Sequence, residues 1–448
     1  MSRVQTGELK LLDPEKRPMD EFELRRVLRK LDFHLMPIVI LLYLLAFLDR
    51  GNVGNAKILG MVEDANLTGL RYNIKHHAEG GSTVEVACFC HSSLGKLTLV
   101  DVKRVFFVGL AESALSPGIL FYLSTWYPRR YLAWRVGLFI SAVVLAGAFS
   151  GLLAYGIERM DKLGGLHGWQ WIFGLEGIVT VLVGLVAPFF IHDSIQNAKF
   201  LSISEKDYLQ RAITLDAAEI ATDLDRKFIW DAFKDYRIYL YSISFLGIMI
   251  PLYSLALFLP TLVHELGYKA VDAQLFSTPP YALACVCTLI NAYLSDRLLL
   301  RTPFVIVAAS IGIIGFIILL SSSSSTLCYI AMFFATSGVF SADAVFCTLF
   351  STAFGGETKR AVSIAMINGV GNLGGVLASF VYIHPGSFRI GYIINIGCLV
   401  STILLTAFMM WDAKRSNQRK SRQCESQELT IEQKGEWKNL GDQSPLFR

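Results

Sequence analysis

Charge is what this sequence has least of. Only 17% of its 448 residues are Asp, Glu, Lys or Arg, against roughly 25% in an ordinary soluble domain. So few charged side chains cannot cover the surface of a chain that is 53% hydrophobic, which excludes a string of soluble domains. A disordered chain is excluded for the opposite reason, since it needs low hydrophobicity and high net charge, and the net charge here is +4. Cysteine is thin as well. Of eight in the chain, Cys285, Cys287, Cys328 and Cys347 lie inside apolar runs, which argues against a disulfide scaffold. The HExxH, GxSxG and P-loop patterns are missing, and no nucleophile is assembled with its base, so the chain does not read as an enzyme. The small positive balance forms no stripe for nucleic acid.

Long apolar runs are what the sequence does have. About 20 such residues cross the roughly 30 Å hydrocarbon core as a helix. Scanning for that length gives 33–48, 105–126, 136–157, 171–191, 239–263, 277–294, 304–320, 327–350, 363–383 and 390–411. The pattern predicts an all-α polytopic membrane protein with about ten transmembrane helices.

Alternating the side at each span places most of the 41 Lys and Arg on the side of the two termini. That side is then the cytoplasm, because Lys and Arg concentrate there. The expected organisation is a cytoplasmic segment 1–32, a first helix bundle 33–191, a cytoplasmic loop 192–237, a six-helix bundle 238–411 and a cytoplasmic tail 412–448. The central loop contains SISEKDYLQRAITLDAAEIATDLDRK, which reads as amphipathic helix, and the tail reads as polar and unstructured. Two bundles divided by a long basic linker are the organisation of many secondary transporters. The first bundle has four spans and the second six. The shortfall sits at 70–103, where no spanning run occurs. Its His76, His77, Cys88, Cys90 and His91 fit no strong metal spacing, so neither metal nor cofactor is expected.

An ionisable residue inside a span marks a functional site by default, because its burial must be offset. The first span continues as LLYLLAFLDRGNVGNAKILGM. A helix ending at Leu48 would make Asp49 and Arg50 an interfacial flank, whereas one continuing toward Met61 would put both inside the membrane. Glu112, in VFFVGLAESALSPG, is a carboxyl suited to proton exchange when desolvated. Arg104, at the edge of that span, could attract an anion, and Asp343 is the one acid deep in the second bundle. Asn368 and Asn372, four apart on one helix face, could hydrogen-bond a solute or simply a neighbouring helix. Gly147/Gly151 and Gly371/Gly375 allow close helix approach. GVGNLGG at 369–375 also fits a dinucleotide fingerprint, but within an apolar helix the match is accidental.

Several stretches together resemble the fungal carriers of the major facilitator superfamily, specifically the allantoate permease-like anion:cation symporters. They are RKLDFHLMPIVILLYLLAFLDRGNVGNAKILGM, GLAESALSPGILFYLSTWYPRR, LAGAFSGLLAYGIERMDKLGGLHGWQWIFGLEG, NAYLSDRLLLRTPF and GGETKRAVSIAMINGVGNLGG. The resemblance implies two six-helix bundles around a cavity that opens alternately to each side, with the second and third helices replaced here by 70–103. It implies proton-coupled uptake of a small organic anion or vitamin, such as nicotinate, pantothenate or allantoate, by a plasma-membrane monomer. Asp49 and Glu112 would couple protons. Arg50, and less directly Arg104, would face the substrate carboxylate beside Asn368, Asn372 and Asp343. Asp296 and Arg297 in one loop, and Lys359 and Arg360 in another, would gate the cavity. The competing reading is a non-transporting membrane protein, a nutrient sensor or a defective gene product.

Overall fold

The computed structural model describes residues 21–56, 115–157, 160–216, 226–268, 270–381 and 388–425. Twelve α-helices occur among them. In chain order they are α1 (Glu21–Ala56), α2 (Leu115–Trp126), α3 (Leu132–Ile157), α4 (Gly168–Val186), α5 (Ile203–Asp216), α6 (Arg226–Lys234), α7 (Tyr236–Glu265), α8 (Ala270–Leu298), α9 (Thr302–Ser321), α10 (Ser325–Ala353), α11 (Glu357–Val381) and α12 (Arg389–Glu425). Among the described residues nine helices are long and apolar enough to cross a membrane. The described part of α2 supplies a tenth, shorter element of the bundle. The metal-cluster residues, Arg104 and Glu112 lie outside the described residues.

α1 runs unbroken past Leu48 to Ala56, so the reading in which the helix stops before Asp49 and Arg50 is incorrect. Pro37 sits inside it without ending it. At 36 residues α1 is about 54 Å long, well beyond the hydrocarbon thickness, and its first turns carry the charged sequence EFELRRVLRKLD outside the apolar run. α12 has 37 residues and continues to Glu425. The tail expected to be unstructured from Lys414 onward is therefore helical for its first turns. Its Arg, Lys and Gln residues favour helix, and the Arg415 guanidinium lies 5.3 Å from the Trp411 ring centre. The amphipathic stretch in the central loop forms α5, and its last two residues open α6; residues 217–225 between them are outside the described set.

Helices of the second group pack through small residues. A Cβ on Gly338 of α10 would overlap the Gly312 backbone of α9, and one on Gly315 would meet Ala335. Tyr253, Met249 and Phe245 of α7 fill the space left by Gly375, Gly374 and Gly371 of α11. The nucleotide-like glycine run is thus a helix-packing stripe. Glycine also sets the seam between the two groups, where Gly137 of α3 faces Ala292 of α8 and Gly147 faces the Tyr281 ring.

The charged ends of the helices gather at one end of the molecule together with α5 and α6, here called the linker face. Arg135 of α3, almost fully buried, donates to both carboxylate oxygens of Asp32 on α1, at 2.9 and 2.7 Å. Lys30 of α1 pairs with Glu205 of α5. Ser202 and Glu205 close a reciprocal capping box at the start of α5, and His34 of α1 stacks on Phe200 at 4.4 Å.

Candidate functional site

Where the two helix groups meet, a small cavity opens between α1, α2 and α3 on one side and α7, α10 and α11 on the other. Its wall includes Tyr43, Phe47, Ser116, Phe245, Tyr253, Asp343, Cys347, Asn368 and Asn372. A chain of hydrogen bonds crosses it. The Tyr43 hydroxyl lies 3.2 Å from Ser116 Oγ, which donates to Asn368 Oδ1 at 3.2 Å. Asn368 donates in turn to the Ile364 carbonyl of its own helix at 3.0 Å. One turn along α11, Asn372 accepts from the Tyr253 hydroxyl at 3.1 Å. Asp343 accepts a long bond from the Cys347 thiol at 3.4 Å. The rings are held by neighbours: Tyr43 stacks on Phe139 at 3.9 Å, and Phe245 lies parallel to Phe346 at 5.9 Å.

The cavity volume is about 20 Å³, and on that scale one water needs roughly 10–15 Å³. As it stands it holds little more than a water molecule. A solute the size of an aromatic acid requires the groups to separate, and separation must break the Ser116–Asn368 bond.

The linker face closes the cavity from one side through bonds between the groups. The Asp296 carboxylate of α8 accepts the Ala133 and Trp134 backbone N–H groups at 3.1 and 2.7 Å. These belong to the first turn of α3, whose N–H groups have no partner within the helix, and the negative charge complements the positive end of its dipole. The mirror arrangement occurs at α2, where Arg360 of α11 donates to the Ser124 carbonyl in the last turn at 3.1 Å. Arg301, at the start of α9, donates to the Arg129 carbonyl and to the Thr352 hydroxyl. Lys359 works within its own group, donating to Asp235 at 2.7 Å.

Asp343, Asn368 and Asn372 are brought to one cavity wall. Asp49 and Arg50 are helical residues of α1, with side chains outside the described set. Asp296 and Arg360 join the two groups, while Arg297 is exposed and Arg301 makes the contact instead. Tyr43, Ser116, Tyr253 and Arg301 are not among the sequence candidates, nor is Glu176, an acid buried within the α4 span. The signal for Glu176 was available, because the argument from acids inside apolar runs applies to it directly. Among the described residues no group of metal-ligating side chains forms.

Two groups of spanning helices, a central polar cavity and one end sealed by bonds between the groups are the architecture of a secondary transporter. Residues 105–379 match the Major Facilitator Superfamily, and the chain belongs to that family. Its relatives are fungal transporters. An uncharacterized transporter of Schizosaccharomyces pombe is 30% identical over 89% of this chain and 86% of that one. The high-affinity nicotinic acid transporter of Saccharomyces cerevisiae is 28% identical over 88% of this chain and 79% of its own length. Among solved structures, the proton:xylose symporter XylE bound to 6-bromo-6-deoxy-D-glucose superposes with a TM-score of 0.63, at 16% identity, over 84% of this chain and 95% of that one. This last likeness bears on the fold alone.

Proposed function

We propose that this transporter is a proton-coupled symporter of a small organic anion, of the allantoate permease-like type, with a heteroaromatic carboxylate such as nicotinate as the favoured cargo. The observation that carries the reading is the Tyr43–Ser116–Asn368 chain spanning the cavity between the groups. It offers hydroxyl and amide partners to a polar solute at the point where opening must occur. Phe47 and Phe245 offer flat apolar surface to a ring, and the named relative gives the nicotinate class its precedent. Arg50, two helical turns beyond Tyr43 in sequence, is the proposed partner of the carboxylate.

Lys and Arg bias puts the linker face in the cytoplasm, so the sealed end is the inner one. The domain boundaries proposed from sequence follow: a bundle over 33–191, a cytoplasmic loop over 192–237 and a bundle over 238–411. In this scheme an outside proton neutralises Asp49 or Glu112, the anion then binds at Arg50, and the inner bonds of Asp296, Arg301 and Arg360 release. Binding drives that change only through higher affinity for the rearranged state. The chain acts as a single carrier unit in the plasma membrane.

The test is uptake of labelled nicotinate, pantothenate and allantoate in an auxotrophic fungal host. Glu112→Gln is expected to abolish the pH dependence of uptake while leaving substrate binding measurable. Uptake that responds to pH normally in that variant removes Glu112 from the mechanism. No uptake of any organic anion by the unaltered chain leaves the non-transporting reading in its place.

A further inference from the structure

The linker face carries a second feature that the transport cycle does not use. α6 is an amphipathic helix, RKFIWDAFK, separated by Asp235 alone from the membrane span α7. Its inner face packs through Ala232, which is fully buried, and its outer face presents Trp230 and Phe233, 66% and 45% exposed, with ring centres 6.3 Å apart. Lys234 is exposed beside them. In water such a face would be a liability. At the boundary of a bilayer it is the pattern of a helix lying in the interface, with aromatic rings at headgroup depth and cations outside them.

The end of α12 is tied to the start of α7, directly after α6. Tyr236 donates to Asp412 Oδ2 at 2.9 Å and Arg237 pairs with the same oxygen at 3.3 Å, so the start of α7 and this part of α12 are held together. One residue before Asp412, Trp411 is exposed, and Lys414, Arg415 and Arg419 follow it, all exposed. On a helix Trp411, Lys414 and Arg415 share one side, with Arg419 a further turn outward. The nearby acids are largely neutralised: Asp235 by Lys359, Asp412 by Arg237. Among the described side chains, Asp231, half-buried on α6, and Glu357, exposed at the start of α11, oppose the positive sign. Lys234, Lys414, Arg415 and Arg419 form no ion pair among the described residues. Four exposed cations thus flank the exposed rings of Trp230, Phe233, Tyr236, Tyr239 and Trp411 in sequence, at the linker-side ends of their helices.

We propose that α6 and the linker-side end of α12 together form a binding surface for anionic phospholipid of the adjoining leaflet. The aromatic belt sits among the acyl-chain ends, and Lys234, Lys414, Arg415 and Arg419 hold the headgroup phosphate and carboxylate. The assignment of that leaflet to the cytoplasm rests on the orientation proposed above; the surface itself does not.

The full chain in symmetric bilayers provides the test, so that neither orientation nor transport enters the readout. Phosphatidylserine binding is measured in phosphatidylcholine nanodiscs by native mass spectrometry. Lys234→Gln/Lys414→Gln/Arg415→Gln/Arg419→Gln is expected to weaken it about tenfold or more, because each interfacial cation contributes to holding an anionic lipid. Arg25→Gln/Arg26→Gln/Arg29→Gln/Arg130→Gln, which removes four cations elsewhere on the linker face, is expected to stay within about twofold of the unaltered chain. Equal loss in both variants means net charge alone is responsible and overturns the site. A second measurement needs no charge variant. Brominated lipid is expected to quench a component of tryptophan fluorescence that disappears in Trp230→Phe, and this quenching rises when phosphatidylserine is added. An unquenched Trp230 component means that α6 stands off the bilayer, and the proposal fails.

Discussion

The linker face and the central cavity are built from opposite materials. At the linker face Asp32–Arg135, Asp235–Lys359, Asp296 and Arg360 engage formal charges, several of them against the backbone ends of another helix. In the cavity the bond between the groups is a neutral one, from the Ser116 hydroxyl to the Asn368 amide, with the Tyr43 hydroxyl beside Ser116 in the first group. Hydrogen bonds to charged groups are worth about 1.5–3 kcal/mol and neutral ones about 1 kcal/mol. On the proposed reading the difference assigns two tasks to two places. Strong bonds at the edge would set how long the closed state lasts. The weak bond at the centre would be exchanged for those of a solute without trapping it.

Breaking the strong set should therefore have the largest effect on conformation. Asp296→Ala removes the acceptor for two N–H groups of α3. In the open state those groups are hydrated, so the loss falls on the closed state. At about 3 kcal/mol in all, the closed population relative to the open one should drop roughly a hundredfold. Distances between spin labels at the linker-side ends of α3 and α8 would report it as a shift to the longer separation. If the distribution stays as in the unaltered chain, the Asp296 bonds do not hold the closed state.

The weak set gives a smaller and different effect. Asn368→Ala removes the amide that receives Ser116 and should raise the half-saturating substrate concentration about fivefold to tenfold, as expected for roughly 1 kcal/mol. The label distances should move little. A large shift in those distances with unchanged affinity would invert the division of labour between edge and centre.

The same division explains what could be read in the sequence. Membrane spans follow from apolar length, a local property, and α7 to α12 appear where the runs predicted them. Asn368 and Asn372 were legible because their four-residue spacing fixes a common face. The partners of Asp296 were not, since Ala133 and Trp134 act through backbone N–H groups that carry no residue signature. Tyr43 and Ser116 were hidden for another reason. In LLYLLAF and ESALSPG each looks like an ordinary polar residue on an apolar helix, and only the approach of α11 gives either a role. The glycines that permit such approaches were visible, but which surface each would meet was not. The helical start of the tail was missed because composition suggests a solvated segment there, while Arg415 over Trp411 continues α12.

The smallest expected effect lies at the outermost charged contact, where α5 docks on α1. Glu205 accepts from Lys30 and from the Ser202 backbone N–H, and these bonds, that of Lys30 foremost, hold its carboxyl below the ordinary value of 4.5. A depressed carboxyl stabilises the docked arrangement in full above its unfolded pKa, and the contribution is lost as pH falls through the lower, folded one. Docking of α5 should thus be insensitive to pH in the neutral range and weaken only below 4.5. The pair is partly solvated, so its worth is about 0.5 kcal/mol. Lys30→Gln should then speed backbone hydrogen exchange in α5 only about twofold at neutral pH, and exchange in the variant should respond less to acidification. A tenfold change would mean that this edge contact belongs with the strong bonds of Asp296 and Arg360, and that α5 takes part in closing the cavity.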